Sequence, residues 1–423
     1  MQIALLILFI FGYILITLES VAKINKSAIA LLTGIVCWTI LVLNQNSDDT
    51  VTELSHHLAS ISEILFFLLG AMTIVELIDA HEGFEVITTR ITTTSKVKLL
   101  WIICVLAFFL SALLDNLTTA IVMIALLRKL IENKNDKWLF AGMIIIAANA
   151  GGAWSPIGDV TTTMLWIGGQ ISSLNIIQKL FIPSLVCVLV PLSILSFRLK
   201  GSVETPVKSN SPSASLNSET ERNIVFISGL LILLFVPVFK TLTGIPPYMG
   251  ILLGLSLLWI ITEFIHFSKM DEEKEHYSVV KALQRIDVPS ILFFLGILLA
   301  ISTLESAHIL SQIASQLDIR IGNHTIIGLL IGLLSAVVDN VPLVAATMGM
   351  YHYPMNHFFW EFVAYCAGTG GSILIIGSAA GVAVMGMEKI EFMWYFKKIS
   401  WLALLGYFAG AATYILQEHL FHI

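Results

Sequence analysis

The sequence predicts an all-α polytopic membrane protein made of two inverted-topology repeats, each with five spans, one of them broken, and a re-entrant helical hairpin. Three observations carry that prediction. Of 423 residues, 57% are hydrophobic and 12% charged, about half the charged content of soluble domains. Lysines and arginines segregate between alternate loops. Motifs of the first half recur in the second, in the same order.

Apolar segments fall near 3–18, 28–43, 58–78, 99–130, 138–170, 180–198, 223–240, 248–265, 289–305, 325–350, 358–387 and 399–416. A bilayer needs about 17 to 25 apolar residues per helix. Residues 1–18 have no basic stretch before them and no A-x-A cleavage site, so they read as a first span and not as a removed signal peptide. Suppose the N-terminus lies outside and segments 99–130 and 325–350 each enter and leave on one side. Every Lys and Arg then falls on the cytoplasmic side except Lys179, Lys240 and Arg320, as the positive-inside rule requires. The expectation is ten spans plus two hairpins, with both termini outside. Residues 200–222, rich in Ser, Pro and Asn, read as a flexible cytoplasmic linker between repeats 1–199 and 223–423. Cys37, Cys104, Cys187 and Cys366 stand singly without CxxC spacing and read as small buried hydrophobes. The net charge of −6 is divided by membrane side and says little about partners. Nucleic acid is not expected among them.

The internal echo is specific. "ILFFLLG" at 64–70 returns as "ILFFLG" at 291–296, and "SALLDNL" at 111–117 as "SAVVDNV" at 335–341. "GGAWSPIGD" at 151–159 returns as "GGSILIIGS" at 370–378. An odd number of spans per half inverts the second copy, so the first hairpin opens inward and the second outward. Inverted repeats with broken elements meeting at mid-depth are the build of a secondary transporter.

An ionised carboxylate at the bilayer centre costs roughly 2.5–3.5 kcal/mol and normally faces a bundle interior or a watery cavity. Asp115 and Asp339 sit at equivalent hairpin tips, each beside an Asn, Asn116 and Asn340, with too few apolar residues on either side for an arm to span. A simple capping role for the two Asp-Asn pairs is the alternative, although Ser or Asn would cap without a charge. The segment after each hairpin is broken by glycines, which frees backbone groups that must line a cavity. Asn149, Asp159, Thr161, Thr162 and Thr163 cluster at the first break, and Thr369, Ser372 and Ser378 at the second. Three intramembrane carboxylates without an intramembrane Lys or Arg suit a hard cation or protons and suit an anion badly. Desolvation raises a carboxylate's pKa toward neutrality, so cation and proton compete for one site, an exchanger in outline. Glu76, Asp79 and His81 near one end of the third span, and Glu305 at the corresponding end of its counterpart, are candidates for a proton relay or pH sensing.

"LLDNLTTA", "AANAGGAWSPIGDVTTTMLW" and "VVDNVPLVAA", in that order, resemble the NhaD-type sodium/proton antiporters of the ion transporter superfamily, over roughly residues 60 to 410. The resemblance implies exchange of Na+ or Li+ for H+ across a bacterial inner membrane, a homodimer, and no cofactor. It points to Asp115, Asn149, Asp159, Thr161, Thr162, Ser335, Asp339 and Asn340 as transport-essential. Some members carry two adjacent acids at the first hairpin, where this chain has Leu114-Asp115; the plastid transit segment of plant members is not expected here. The competing expectation in the same fold is an anion permease of arsenite or dicarboxylate type; the sodium/dicarboxylate relatives carry neutral tips. A membrane enzyme would need a catalytic constellation, and none is visible at membrane depth.

Overall fold

The computed structural model describes residues 1–17, 23–45, 47–88, 91, 93–203, 218–267 and 277–421. Regular structure among them is helical, apart from an isolated antiparallel bridge between Ser95 and Ser202. The first half runs α1 (Gln2–Thr17), α2 (Lys26–Asn44), α3 (Ser47–Ala80), α4 (Glu85–Thr88), α5 (Lys96–Leu114), α6 (Asn116–Leu130), α7 (Lys134–Ala153), α8 (Val160–Ile167) and α9 (Ser173–Arg198). The second runs α10 (Glu219–Thr243), α11 (Pro247–Ile265), α12 (Val279–Arg285), α13 (Val288–Ser306), α14 (Ile309–Arg320) and α15 (His324–Leu334). It closes with α16 (Asn340–Met350), α17 (Phe358–Gly370), α18 (Ala379–Glu388), α19 (Phe392–Lys398) and α20 (Ser400–Phe421).

Among the described residues, seven helices are each long and apolar enough to cross a membrane, or up to nine crossings if α14–α15 and α19–α20, bent by 119° and 50°, each count as one. Hydropathy alone suggests ten spans. The difference is physical: a helix rises about 1.5 Å per residue, and α1 has only 16 residues, α17 has 13 and α18 has 10. At the first tip the reverse holds. Helix α5 extends back through Lys98 to Lys96 and, at 19 residues, is long enough to cross by itself, so the expectation of two short arms fails for that arm.

Of the expected linker 200–222, residues 204–217 lie outside the described residues. Its last four residues are helix. Ser218 Oγ accepts the Glu221 N–H at 3.2 Å and Glu221 Oε2 accepts the Ser218 N–H at 3.3 Å, a capping box that satisfies two orphan donors and starts α10 before residue 223.

Helix α2 packs along α13, and α3 along α11. The first pair is close because Gly34 and Gly296 face each other: a Cβ on Gly296 would collide with the backbone of Ala30 and Leu31. Helix α9 packs against α20. The broken elements pack in a reciprocal way: α8, after the first break, lies against α16, after the second tip, and α18, after the second break, lies against α6, after the first tip. Between them α7 and α17 touch. Residues 140–153 and 359–370 are buried without interruption; helices apolar all round belong at a bundle's centre.

Candidate cation site at four helix ends

Each helix that starts inside the bundle leaves N–H groups without intrahelical partners and presents the positive end of its dipole. Four such ends meet here, and each has a side-chain cap. Asp115 ends α5 and begins α6; its Oδ1 accepts the Thr118 N–H and its Oδ2 the Thr118 hydroxyl, both at 2.8 Å. Asp159 Oδ1 accepts the Thr161 N–H and hydroxyl, both at 2.9 Å, at the start of α8. Asp339 Oδ1 accepts the Val341 N–H at 3.1 Å at the start of α16, and Ser378 Oγ accepts the Gly381 N–H at 3.2 Å at the start of α18. Capping and charge, set against each other in the sequence, coexist: all three carboxylates cap.

Amides knit the four ends together. Asn116 Nδ2 donates to Asp159 Oδ2 at 2.7 Å and to Asn149 Oδ1 at 3.0 Å. Asn149 Nδ2 donates across to Ser372 Oγ at 2.9 Å and Ser378 Oγ at 3.0 Å. Asn340 Nδ2 reaches back from the second half to both Asp159 oxygens, at 3.3 and 3.4 Å. Asn116, Asn149, Asp159, Thr161, Asn340, Ser372 and Ser378 are all buried.

The three acids are therefore unequal. Asp159 has its acceptor capacity filled, since a carboxylate offers about four lone-pair sites. Among the described residues Asp115 accepts from the Thr118 N–H and hydroxyl, and Asp339 accepts from the Val341 N–H; both acids are half-buried. Their remaining lone pairs are the ones available to a cation. Asp115 also adopts φ 77° and ψ 161°, a region almost reserved for glycine that costs on the order of 1–3 kcal/mol in other residues.

Asp115 and Asp159 line one narrow cleft with Phe67, Met72, Leu114 and Thr163. Thr162 turns its hydroxyl to the Asp159 carbonyl at 2.9 Å. The Ser335 hydroxyl donates to the Ala367 carbonyl at 2.7 Å, and the Ser111 hydroxyl does the same to Ala148 at 2.5 Å. Each serine ties its tip to the neighbouring broken helix. Glu76 faces Arg285 at 3.6 Å, and both line a pocket with Asp79. His81 does not join that pocket's lining: fully buried, it sits with Nε2 2.8 Å from His266 Nε2, tying the end of α3 to the end of α11. Glu305 packs beside Gly349.

Thr118 and Ser155, whose hydroxyl donates to the Ala112 carbonyl at 2.6 Å, escaped the sequence. Thr118 had a signal, a hydroxyl three residues after a helix-starting Asp; Ser155 had none. Among the described residues no three His, Cys, Asp or Glu gather as metal ligands. The polar groups that meet here are carboxylate, amide and hydroxyl oxygens, ligands of the kind that suit hard cations.

Comparison with known proteins agrees with this chemistry in part. A family model described as citrate transporter (CitMHS) matches residues 7–361. The Arabidopsis thaliana protein named sodium/proton antiporter 1 is 51% identical over 99% of this chain and 73% of its own length. Sodium/proton antiporter 2 of the same plant is 49% identical over 97% of this chain and 98% of its own length. The Na(+)/H(+) antiporter NhaD of Alkalimonas amylolytica is 31% identical over 98% of this chain and 91% of its own length.

Proposed function

The chain belongs to the NhaD-type sodium/proton antiporter family, and from that premise we propose that it exchanges Na+ or Li+ for H+ at the four-helix junction. It is a multi-pass membrane protein, a transporter that needs no resident cofactor and no enzymatic step. One observation carries the choice of cargo: three of the four inward-facing helix N-termini are capped by carboxylates. An anion carrier turns such ends toward its substrate; here they are occupied by the protein's own acids, and the junction attracts cations.

Asp115 and Asp339 supply the free lone pairs, Asp159 holds Asn116 and Asn340 in place, and Thr161, Asn149, Ser372 and Ser378 complete the polar wall; Thr162 and Ser335 support the backbone. When the cation leaves, a proton takes the carboxylate, because a bare charge at mid-depth costs roughly 2.5–3.5 kcal/mol. Glu76 and Asp79 pass cations or protons between Asp115 and the cytoplasm. The reciprocal packing of α8 on α16 and α18 on α6 supports two inverted repeats, 1–199 and 223–423. The loop charges support both termini outside, and the resemblance supports a bacterial inner membrane and a homodimer.

The citrate-transporter description of the family model favours a second reading, an anion permease. Everted vesicles with a pH-sensitive dye decide between them. Addition of NaCl or LiCl between about pH 7 and 9 is expected to dequench the dye. No response to either salt, with uptake of citrate, would overturn the exchange reading.

A further inference from the structure

Three pockets on one side of the bundle share walls. The cleft at Asp115 and Asp159 has Met72 and Val75 in common with a second pocket, lined also by Glu76, Asp79, Thr118 and Arg285. That pocket shares Asp79 and Val122 with a third, which carries Glu82, Glu85 and Lys129. Thr118, whose hydroxyl bonds Asp115, stands in the middle pocket's wall. An ion moving between Asp115 and this surface therefore passes through a vestibule lined by acids.

Arg285 stands in the same vestibule. It is the last residue of α12, a short helix capped by Ser278, whose Oγ accepts the Lys281 N–H at 3.1 Å, and packed against α3. Its Nη1 lies 3.6 Å from Glu76 Oε1, and its charge also reaches Asp79, on the same face of α3. Among the described residues lining the middle pocket it is the one Lys or Arg. Lys129 and Arg222, farther out, pair with Glu85 at 2.9 and 3.5 Å.

The strength of the Arg285–Glu76 contact is informative. Their side chains are 37% and 24% exposed, and at 3.6 Å the pair is long and open to solvent. Exposed ion pairs of this kind are weak and screened by salt. A tight, desolvated pair would close the vestibule; this one can be displaced by mobile cations.

We propose that Arg285 is a tethered cation that competes with the incoming monovalent ion for Glu76 and Asp79, and so sets the apparent Na+ affinity on the cytoplasmic face. It is a specificity-determining residue that does not touch the Asp115–Asp159 junction. The inference rests on the exchange reading above and goes beyond it in assigning a role to a loop-side arginine.

In everted vesicles the cytoplasmic face meets the added salt, so half-maximal NaCl reads this competition directly. Arg285→Gln should lower half-maximal NaCl about two- to fivefold, the range an exposed pair supports, with the maximal rate within about twofold of wild type. Arg285→Lys keeps the competing charge and should restore a value near wild type. Glu76→Gln should raise half-maximal NaCl and remove most of the effect of a second Arg285→Gln change. An arginine that merely ties α12 to α3 predicts otherwise: lower maximal rate and melting temperature, unchanged half-maximal NaCl, and additive double-variant effects. That outcome, or a rise in half-maximal NaCl in Arg285→Gln, overturns the proposal alone. A wild-type protein silent to NaCl and LiCl overturns the exchange reading and this inference with it.

Discussion

At the first break Asp159 caps α8 and accepts from Asn116 and Asn340; at the second, Ser378 caps α18 and accepts from Asn149. The two positions follow equivalent glycine pairs and do the same backbone work. They differ by one charge, so the junction is symmetric in backbone and asymmetric in electrostatics. The lesson is that a helix-end scaffold can be duplicated while its charge is concentrated in one copy. The field at the junction is therefore lopsided, with Asp115 and Asp159 on one side and Asp339 alone on the other.

The sharpest way to break this comparison is to neutralise one position and truncate the other. Asp159→Asn puts an NH2 where Asn116 and Asn340 already donate, so a donor faces donors. Exchange should fall at least about 100-fold, with a stability cost of about 1–3 kcal/mol for the frustrated buried bonds. Ser378→Ala removes two bonds and no charge; it should cost about 1–2 kcal/mol and reduce exchange less than about tenfold. Dye exchange at matched expression and melting in detergent measure both. Equal activity in the two variants would show that charge at the break is immaterial.

This asymmetry was visible in the sequence, since the echoed "GGAWSPIGD" and "GGSILIIGS" differ at that last residue. The breaks, the tips and the membrane class were legible for the same reason: carboxylates and glycine pairs at membrane depth violate the rules for an ordinary span. What stayed hidden is tertiary. Nothing local says that Asn340 reaches Asp159 across 181 positions. Helix α14 does not stand out as an apolar segment, because it mixes Ser, Gln, Asp and Arg with its aliphatics. The start of α10 was legible in Ser218-x-x-Glu221 and was masked by the polar run before it. His81 and Asp79 are neighbours in sequence yet point to different tasks, because a helix turns about 100° per residue.

The tips offer a second, finer comparison. Asp115 holds φ 77° and Asp339 holds φ −50°, so only the first is strained. Asp115→Gly relieves the strain and loses a cap that glycine partly replaces, for a net gain of up to about 1 kcal/mol. Asp339→Gly loosens a backbone that was already relaxed and should lose about 0.5–1 kcal/mol. Asp115→Asn should leave melting unchanged or slightly higher, because removing a buried charge lowers the cost of its burial. Asp115→Gly and Asp115→Asn should both abolish exchange, and Asp339→Asn should impair it. A destabilised Asp115→Gly protein would show that the strained geometry is stabilised by contacts beyond the Thr118 cap.

The smallest expected effect lies where the two broken helices begin. Helix α7 is capped by Asn133, whose Oδ1 accepts the Asn135 and Asp136 N–H groups at 3.0 and 3.3 Å. Its counterpart α17 is capped by His357, whose Nδ1 accepts the Phe359 N–H at 3.3 Å. An asparagine caps at any pH; an imidazole caps through Nδ1 only while neutral. His357 lies in the loop before α17, and burial, with the nearby His324, holds its pKa below the ordinary histidine value. The sign follows: the fold favours the neutral ring. That stability is complete above the unfolded value of about 6.5. It is lost progressively as pH falls from that value through the lower folded one, because the unfolded chain then takes up a proton that the cap refuses. His357→Asn should leave melting at pH 8 within about 1 kcal/mol of wild type and flatten the decline between about pH 7 and 5. Asn133→His should import such a decline into the first half. A profile that declines equally with and without His357 would assign the acid sensitivity elsewhere.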